Sequence, residues 1–265
     1  MNIHSLSYGD LLIAAALVIG LAILSAILKL GMSRSILIAS ARTTLQLMLI
    51  GLILKTLFAH FTIGWMAVIS LIMLLVAARE VMARQKRRFH GFWGFGTGAV
   101  AMFSSSFALA LFALLVVIRY DPWYQPQYAV PLLGMMLGNT MNGISIGVDR
   151  LTNSAWQQRD IIETRLALGE TSTASINELR RDAIRSGLIP IINSMSVAGL
   201  VSLPGMMTGQ ILAGAPPEEA VKYQILIMFL LCAGTGFGTL VAVNLSAHRL
   251  FDDRERLRLD RLKKA

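Results

Sequence analysis

The stretch DRLTNSAWQQRDIIETRLALGETSTASINELRRDAIRSGLIP, from Asp149 to Pro190, is the one long polar segment inside an otherwise oily chain. Its reading decides the rest. It divides into two short helical patterns around Gly169. In the first, Ser154 is placed to cap, and Ala155, Ile162 and Leu166 share a helical stripe. Gly169 is placed to stop that helix, because glycine enters the left-handed conformation cheaply. In the second, Ser175 and Glu178 have capping-box spacing ahead of Ile176, Leu179 and Ala183. The segment carries six arginines and six acids, so its formal charge cancels. A surface for anionic lipid or nucleic acid is one-sided in charge. This one suits a mixed-charge protein surface.

Around that segment, 265 residues with 55% hydrophobic content and a mean hydropathy of +0.63 supply several apolar runs. Each approaches the ~18 to 25 residues that cross a bilayer. The chain therefore reads as an all-α, polytopic transmembrane bundle. About seven spans can be drawn, at 11–28, 36–58, 63–78, 94–118, 129–148, 188–214 and 224–245, with the third borrowing Arg79 to Met82. The whole of 1–265 is one transmembrane domain in this reading, with 149–187 as a cytoplasmic loop and 246–265 as a cytoplasmic tail. Met1 to Asp10 holds no Lys or Arg, so a cleaved signal peptide is not expected and the first run stays as a span. The single cysteine, Cys232, excludes a disulfide within one chain and a zinc cluster.

A net charge of +9 would suggest nucleic acid in a soluble domain. Here it follows topology. Twenty of the 24 Lys and Arg fall in 29–35, 79–91, 149–187 and 246–265, two fall in the connections on the other side, and Arg42 and Lys55 lie within span two. Basic loops stay inside, so the N-terminus is expected outside, and the C-terminus and central loop inside. The outer connection RYDPWYQPQY, Arg119 to Tyr128, reads as an aromatic headgroup belt or an outer vestibule. The tail LFDDRERLRLDRLKKA reads as a salt-laced extension of span seven, with Leu250, Leu257 and Leu259 on something apolar, or as a solvated tail.

Polar residues within spans mark candidate pathway positions. Span two places Arg42, Thr43, Thr44 and Gln46 within about one turn, although Arg42 is also near enough the inner boundary to snorkel. Span five sets Asn139, Thr140, Asn142 and Ser145 among Gly134, Gly138, Gly143 and Gly147, a pattern that serves close helix packing or a polar wall. Span six carries Asn193 and then LPGMMTGQ, where Pro204 and Gly205 should break the helix ahead of Gln210. Met135, Met136, Met141, Met206 and Met207 are adaptable filler or soft-metal ligands, so any metal site stays open.

Absences narrow the function. Apart from Asp10, a simple helix cap, no drawn span contains Asp, Glu or His, so no proton relay is visible. There is no G-x-x-x-x-G-K-[ST] loop to hold a nucleotide. No cofactor is expected on this chain, and ATP with its Mg belongs on a partner. Asp149, Glu163 and His90 are too scattered for an enzyme's acid-base pair.

ETRLALG, Glu163 to Gly169, followed by LIP at Leu188 to Pro190, resembles the coupling loop of ABC-transporter permeases, with Thr164 and Arg165 replacing two alanines. SARTTLQLMLIG, GNTMNGISIGVDRL, ETRLALGE and INSMSVAGLVSLPGMMTGQILAG, in this order, are similar to the FetB-type family of iron-export ABC-transporter permeases, to which plant aluminium-tolerance subunits are related. The resemblance covers nearly the whole chain. It implies a permease subunit without its own ATPase, a second copy of the chain, a separate ABC ATPase, and export of iron or a related metal species. Trp156, Ile162, Glu163, Leu166, Gly169 and Glu170 are then the expected ATPase-coupling residues. Arg42, Thr43, Gln46, Asn139, Asn142, Asn193, Pro204 and Gln210 are the expected pathway residues. The rival is a self-contained secondary transporter or channel for a small polar solute or metal ion.

Overall fold

Ser7 opens the first helix through a reciprocal cap: Asp10 N donates to Ser7 Oγ at 3.3 Å, and Ser7 N donates to Asp10 Oδ2 at 2.8 Å. Asp10 is therefore the cap its position suggested. The structure is a computed structural model describing residues 7–59 and 62–263, without the side chains of residue 8 and residues 52–59. His60 and the Lys55 side chain lie outside the described residues.

Contacts divide the chain into two units, 1–60 and 61–265. In the first, α1 (Tyr8–Ile27) and α2 (Ser33–Ala59) pack as a hairpin that buries Ala22 and Ser25. Its turn uses Lys29 at φ 53° and Gly31 at φ 70°.

The second unit holds α3 (Ile63–Ala83), α4 (Trp93–Met102), α5 (Ala108–Phe112), α6 (Pro126–Gln157), α7 (Arg159–Ala167), α8 (Ser172–Ser175), α9 (Asn177–Val197), α10 (Gly205–Leu212) and α11 (Pro217–Arg249). One π-helical turn, Phe103–Phe107, joins α4 to α5 and a second, Ala113–Ile118, continues α5, making one rod from Trp93 to Ile118. α3 runs past Met82, as the short apolar run required. Among the described residues, four helices are long and apolar enough to cross a membrane: Gly9–Ile27, Ile63–Ala83, Trp93–Ile118 and Pro217–Arg249. The chain is an all-α membrane bundle.

α6 is the hub, packed against α3, α9 and α11. Met136, Ile144 and Leu151 are fully buried along its inner face. Helix contact there depends on missing side chains. A Cβ on Gly143 would stand 2.5 Å from Thr235 Cγ2, and one on Gly187 would stand 2.6 Å from the Gly143 carbonyl oxygen. Small residues let α6, α9 and α11 approach closely, the packing half of the two readings of span five.

Three local expectations are corrected. Ser154 is buried inside α6, because the helix runs three residues further to Gln157. Ser175 and Glu178 form no capping box; Thr171 caps α8, Ser175 donates to the Ser172 carbonyl, and Glu178 accepts from Arg165 at 3.2 Å. The second pattern is not a separate short helix but the start of the 21-residue α9.

The tail is also not a helical extension. α11 ends at Arg249, and its last carbonyls need donors. Arg261 Nη1 supplies them, reaching Arg249 O at 2.8 Å and Phe251 O at 3.0 Å. The tail folds back as a strap: Phe251 bridges Leu257, and Phe89 bridges Leu262. Leu250 is fully buried, while Leu257 and Leu259 pack against the core. The apolar contacts were foreseen; the backbone that delivers them was not.

Candidate functional site

The C-terminal end of α6 leads directly into the expected coupling segment. The helix breaks at Gln158, with φ −103° and ψ 24°, and α7 follows. Ile162 is 1% exposed, and Leu166 packs against the core, so these two hold α7 to the body. Trp156 is half-buried under Arg87, whose guanidinium carbon lies 4.1 Å from the ring centroid. These three serve the fold.

α7 then ends in a complete Schellman turn. Glu170 N donates to Arg165 O at 3.1 Å, Gly169 N donates to Leu166 O at 3.0 Å, and Gly169 sits at φ 92°. A glycine is needed there because a side chain strains at that φ. Nothing lies within 4 Å of where its Cβ would be, so the turn is open outward. Glu163 is paired with Arg159 at 2.9 Å within the helix, and that pair raises the Arg159 pKa. Glu170 is exposed. Leu168, in the turn, is 81% exposed, and Ile161, at the start of α7, is 53% exposed. Neither was singled out in the sequence, where the stripe of Ile162 and Leu166 drew attention to the face that the structure buries. Their signal was the apolar residue out of phase with that stripe.

The turn is braced from behind. Ser172 N and Oγ donate to the Glu255 carboxylate at 3.3 and 3.5 Å, which ties α8 to the tail strap. Within the strap, Arg256 hydrogen bonds hold the Asp252 carboxyl well below the usual range. The α3–α4 connection is tied to α6, because Lys86 N donates to Asp149 Oδ1 at 2.7 Å.

The pathway candidates are dispersed. Arg42, Thr43 and Gln46 are exposed on α2, in the first unit. Asn139 and Asn142 lie one turn apart on the less buried face of α6. Asn139 Nδ2 donates to its own helix at Met135 O, 3.0 Å, and Asn142 Oδ1 accepts from Arg84 Nη1 at 2.6 Å. Asn193 is exposed on α9, whose Ala183, Gly187 and Ile191 are buried. Pro204 does mark a break: α9 stops at Val197, Gly199 turns at φ 84°, and Pro204 precedes α10. Gln210 is half-buried on α10, with Oε1 lacking a hydrogen-bond partner. Among the described residues, no hydrogen bond joins Asn139, Asn142, Asn193 or Gln210 to another of the four. Sequence reasoning missed Arg84, which lies beyond the apolar part of span three.

Among the described residues, no group of three or more His, Cys, Asp or Glu could hold a metal ion. Met136 is fully buried, with its Cε against Gly234, and Met141 packs on the core. These thioethers fill space.

Residues 8–251 match the family described as "Uncharacterised protein family (UPF0014)". The chain is 40% identical to a UPF0014 membrane protein of Synechocystis over 84% of its own length and 85% of that protein. It is 31% identical to the "Probable iron export permease protein FetB" of Escherichia coli over the full length of both. It is 34% identical to the "Protein ALUMINUM SENSITIVE 3" of Arabidopsis thaliana over 81% of this chain and 77% of that one. No solved structure matches. With the match running from the first helix through the end of α11, the chain belongs to the UPF0014 family of membrane proteins.

Proposed function

We propose that this chain is the membrane-spanning permease subunit of an ABC exporter. In this reading it has seven spans in a bacterial inner membrane, N-terminus outside. It works beside a second copy of itself, and a separate subunit binds and hydrolyses ATP with Mg. The cargo is iron or a related metal species, supported by the name of the E. coli relative.

The observation that carries this reading is the open turn at Gly169, with Leu168 exposed in it and Ile161 exposed at the other end of α7. From Val148 to Gln157, α6 adds nine residues, about 14 Å of helix at 1.5 Å each, so the turn stands beyond the apolar run. Apolar side chains exposed there face water rather than lipid, which favours a protein partner. Ile162 and Leu166 tie the turn to α6, so a partner that moves it also moves the helix hub. Closure of an ATPase pair would then shift the bundle between two arrangements.

The test uses inverted membrane vesicles containing this chain and the ATPase that copurifies with it. The reading predicts ATP-dependent accumulation of iron inside the vesicles, abolished when either subunit is omitted. Equal iron movement without ATP and without any ATPase favours a channel or secondary transporter instead.

A further inference from the structure

α3, the π-turned rod and the start of α6 enclose a cavity of about 340 Å³ that the transport reading leaves unused. Both π turns contribute to it, Phe103 and Phe107 from the first and Leu114 from the second. Such turns insert a residue into the helical register and recur at functional positions. Here the Phe103 and Phe107 rings, 5.3 Å apart, form one apolar wall, and the small Ala110 leaves the gap beside them.

The chemistry of the lining is selective. No charged residue is present, and the polar side-chain groups are those of Ser70, Trp123 and Tyr124. A metal ion or its hydrated complex finds no ligand there. Leu71 and Phe103, 54% and 60% exposed, line the cavity from two helices that are long and apolar enough to cross a membrane, and their exposed apolar surface suits acyl chains rather than water. At one end stand Trp123 and Tyr124, an edge-to-face ring pair in the aromatic connection that suits the headgroup level. The volume lies near the bottom of the ~300 to 1,000 Å³ range of ligand pockets, which fits one alkyl tail better than a two-tailed lipid.

We propose that this cavity is a non-annular lipid site that seats one acyl chain of a phospholipid, its headgroup beside Trp123 and Tyr124. The bilayer supplies the occupant because the cavity is continuous with the lipid-facing surface. The site is independent of whether the chain exports metal.

The test is Trp123 fluorescence in purified full-length protein with Trp65, Trp93 and Trp156 replaced by Phe. The probe is phosphatidylglycerol brominated on its acyl chains, titrated in detergent. Saturable quenching with one lipid per chain is expected. Ala110→Phe, which fills the gap from the rod, should weaken that binding by about tenfold or more. Ala67→Phe fills it from α3 at an exposed position, and carries the test should the first variant not fold. Val100→Phe, on an exposed face outside the lining, should leave the curve unchanged. Quenching that rises without saturation, or that is the same in folded Ala67→Phe and parent protein, overturns the site.

Discussion

The Arg84 guanidinium donates to Asn142 Oδ1 at 2.6 Å and so joins the C-terminal end of α3 to the polar face of α6. Glu80 approaches the same guanidinium at 4.0 Å. With the Arg84 side chain 47% exposed, the contact is worth about 1 kcal/mol or less in stability. Its larger role in this account is to hold a cation beside the proposed pathway. Asn142→Leu is expected to lower the melting temperature only slightly while cutting iron transport in vesicles, with the ATPase retained. If assembly fails instead, Asn142 is a packing residue.

The glycine contacts should behave in the opposite way. Gly143→Ala places a methyl 2.5 Å from Thr235 Cγ2 and 2.7 Å from Thr239 Oγ1. Overpacking of this kind costs about 1 to 3 kcal/mol. Gly138→Ala, on the same helix with nothing within 4 Å, should be neutral or stabilising by up to ~1 kcal/mol. Thermal unfolding of the two variants in detergent compares them directly.

Much of this architecture is legible in the sequence because membrane helices are selected by length, hydropathy and loop charge. The Asp10 cap, the extension of α3 past Met82, the Gly169 turn and the break before Pro204 all follow from local chemistry. The tail does not. DDRERLRLDR has helix-forming residues and i,i+4 pairs, yet Asp252 instead binds the Arg254 and Arg256 amides, and Glu255 turns at φ 57°. What decides between these forms is the reach of Arg261 back to the Arg249 carbonyl and the pairing of Leu262 with Phe89, contacts that a local helical pattern does not register. The π turns are equally hidden, because an apolar run has the same composition with or without them. For the coupling face, periodicity identified the buried side of α7, but which side a partner meets required the fold.

The strap has a pH signature. Hydrogen bonds from Arg256 lower the Asp252 pKa, so its contribution is present above the unfolded-state value of about 3.9 and is lost as pH falls through the folded value. The tail should resist proteolysis from neutral pH down to about 5 and become sensitive only in strong acid. Asp252→Asn should be sensitive already at neutral pH. Limited digestion with an acid-tolerant protease checks both.

Topology is open to a direct measurement. Single cysteines at His60, Tyr124 and Glu219 are expected to label from outside, and at Arg87, Gln157 and Lys263 from inside, in protein whose Cys232 has been replaced. The expectation rests on the 20-to-2 division of Lys and Arg. Outside labelling at Gln157 would place α7 where no ATPase can reach it.

The central claim is that the open turn at Gly169 passes ATPase movement to α6. Gly169→Val puts a β-branched side chain at φ 92°, at a cost of roughly 1 to 2 kcal/mol, and fills the face left open beside Leu168. Glu163→Ala removes only an exposed ion pair with Arg159, along with a carboxylate that can contact the partner. Both proteins should insert normally. The decisive measurement is ATP hydrolysis and iron export followed together in the same vesicles, alongside ATPase copurification. The account predicts that both variants hydrolyse ATP without matching export and that Gly169→Val also retains less ATPase. Normal export with normal ATPase retention in the Gly169→Val protein would contradict it.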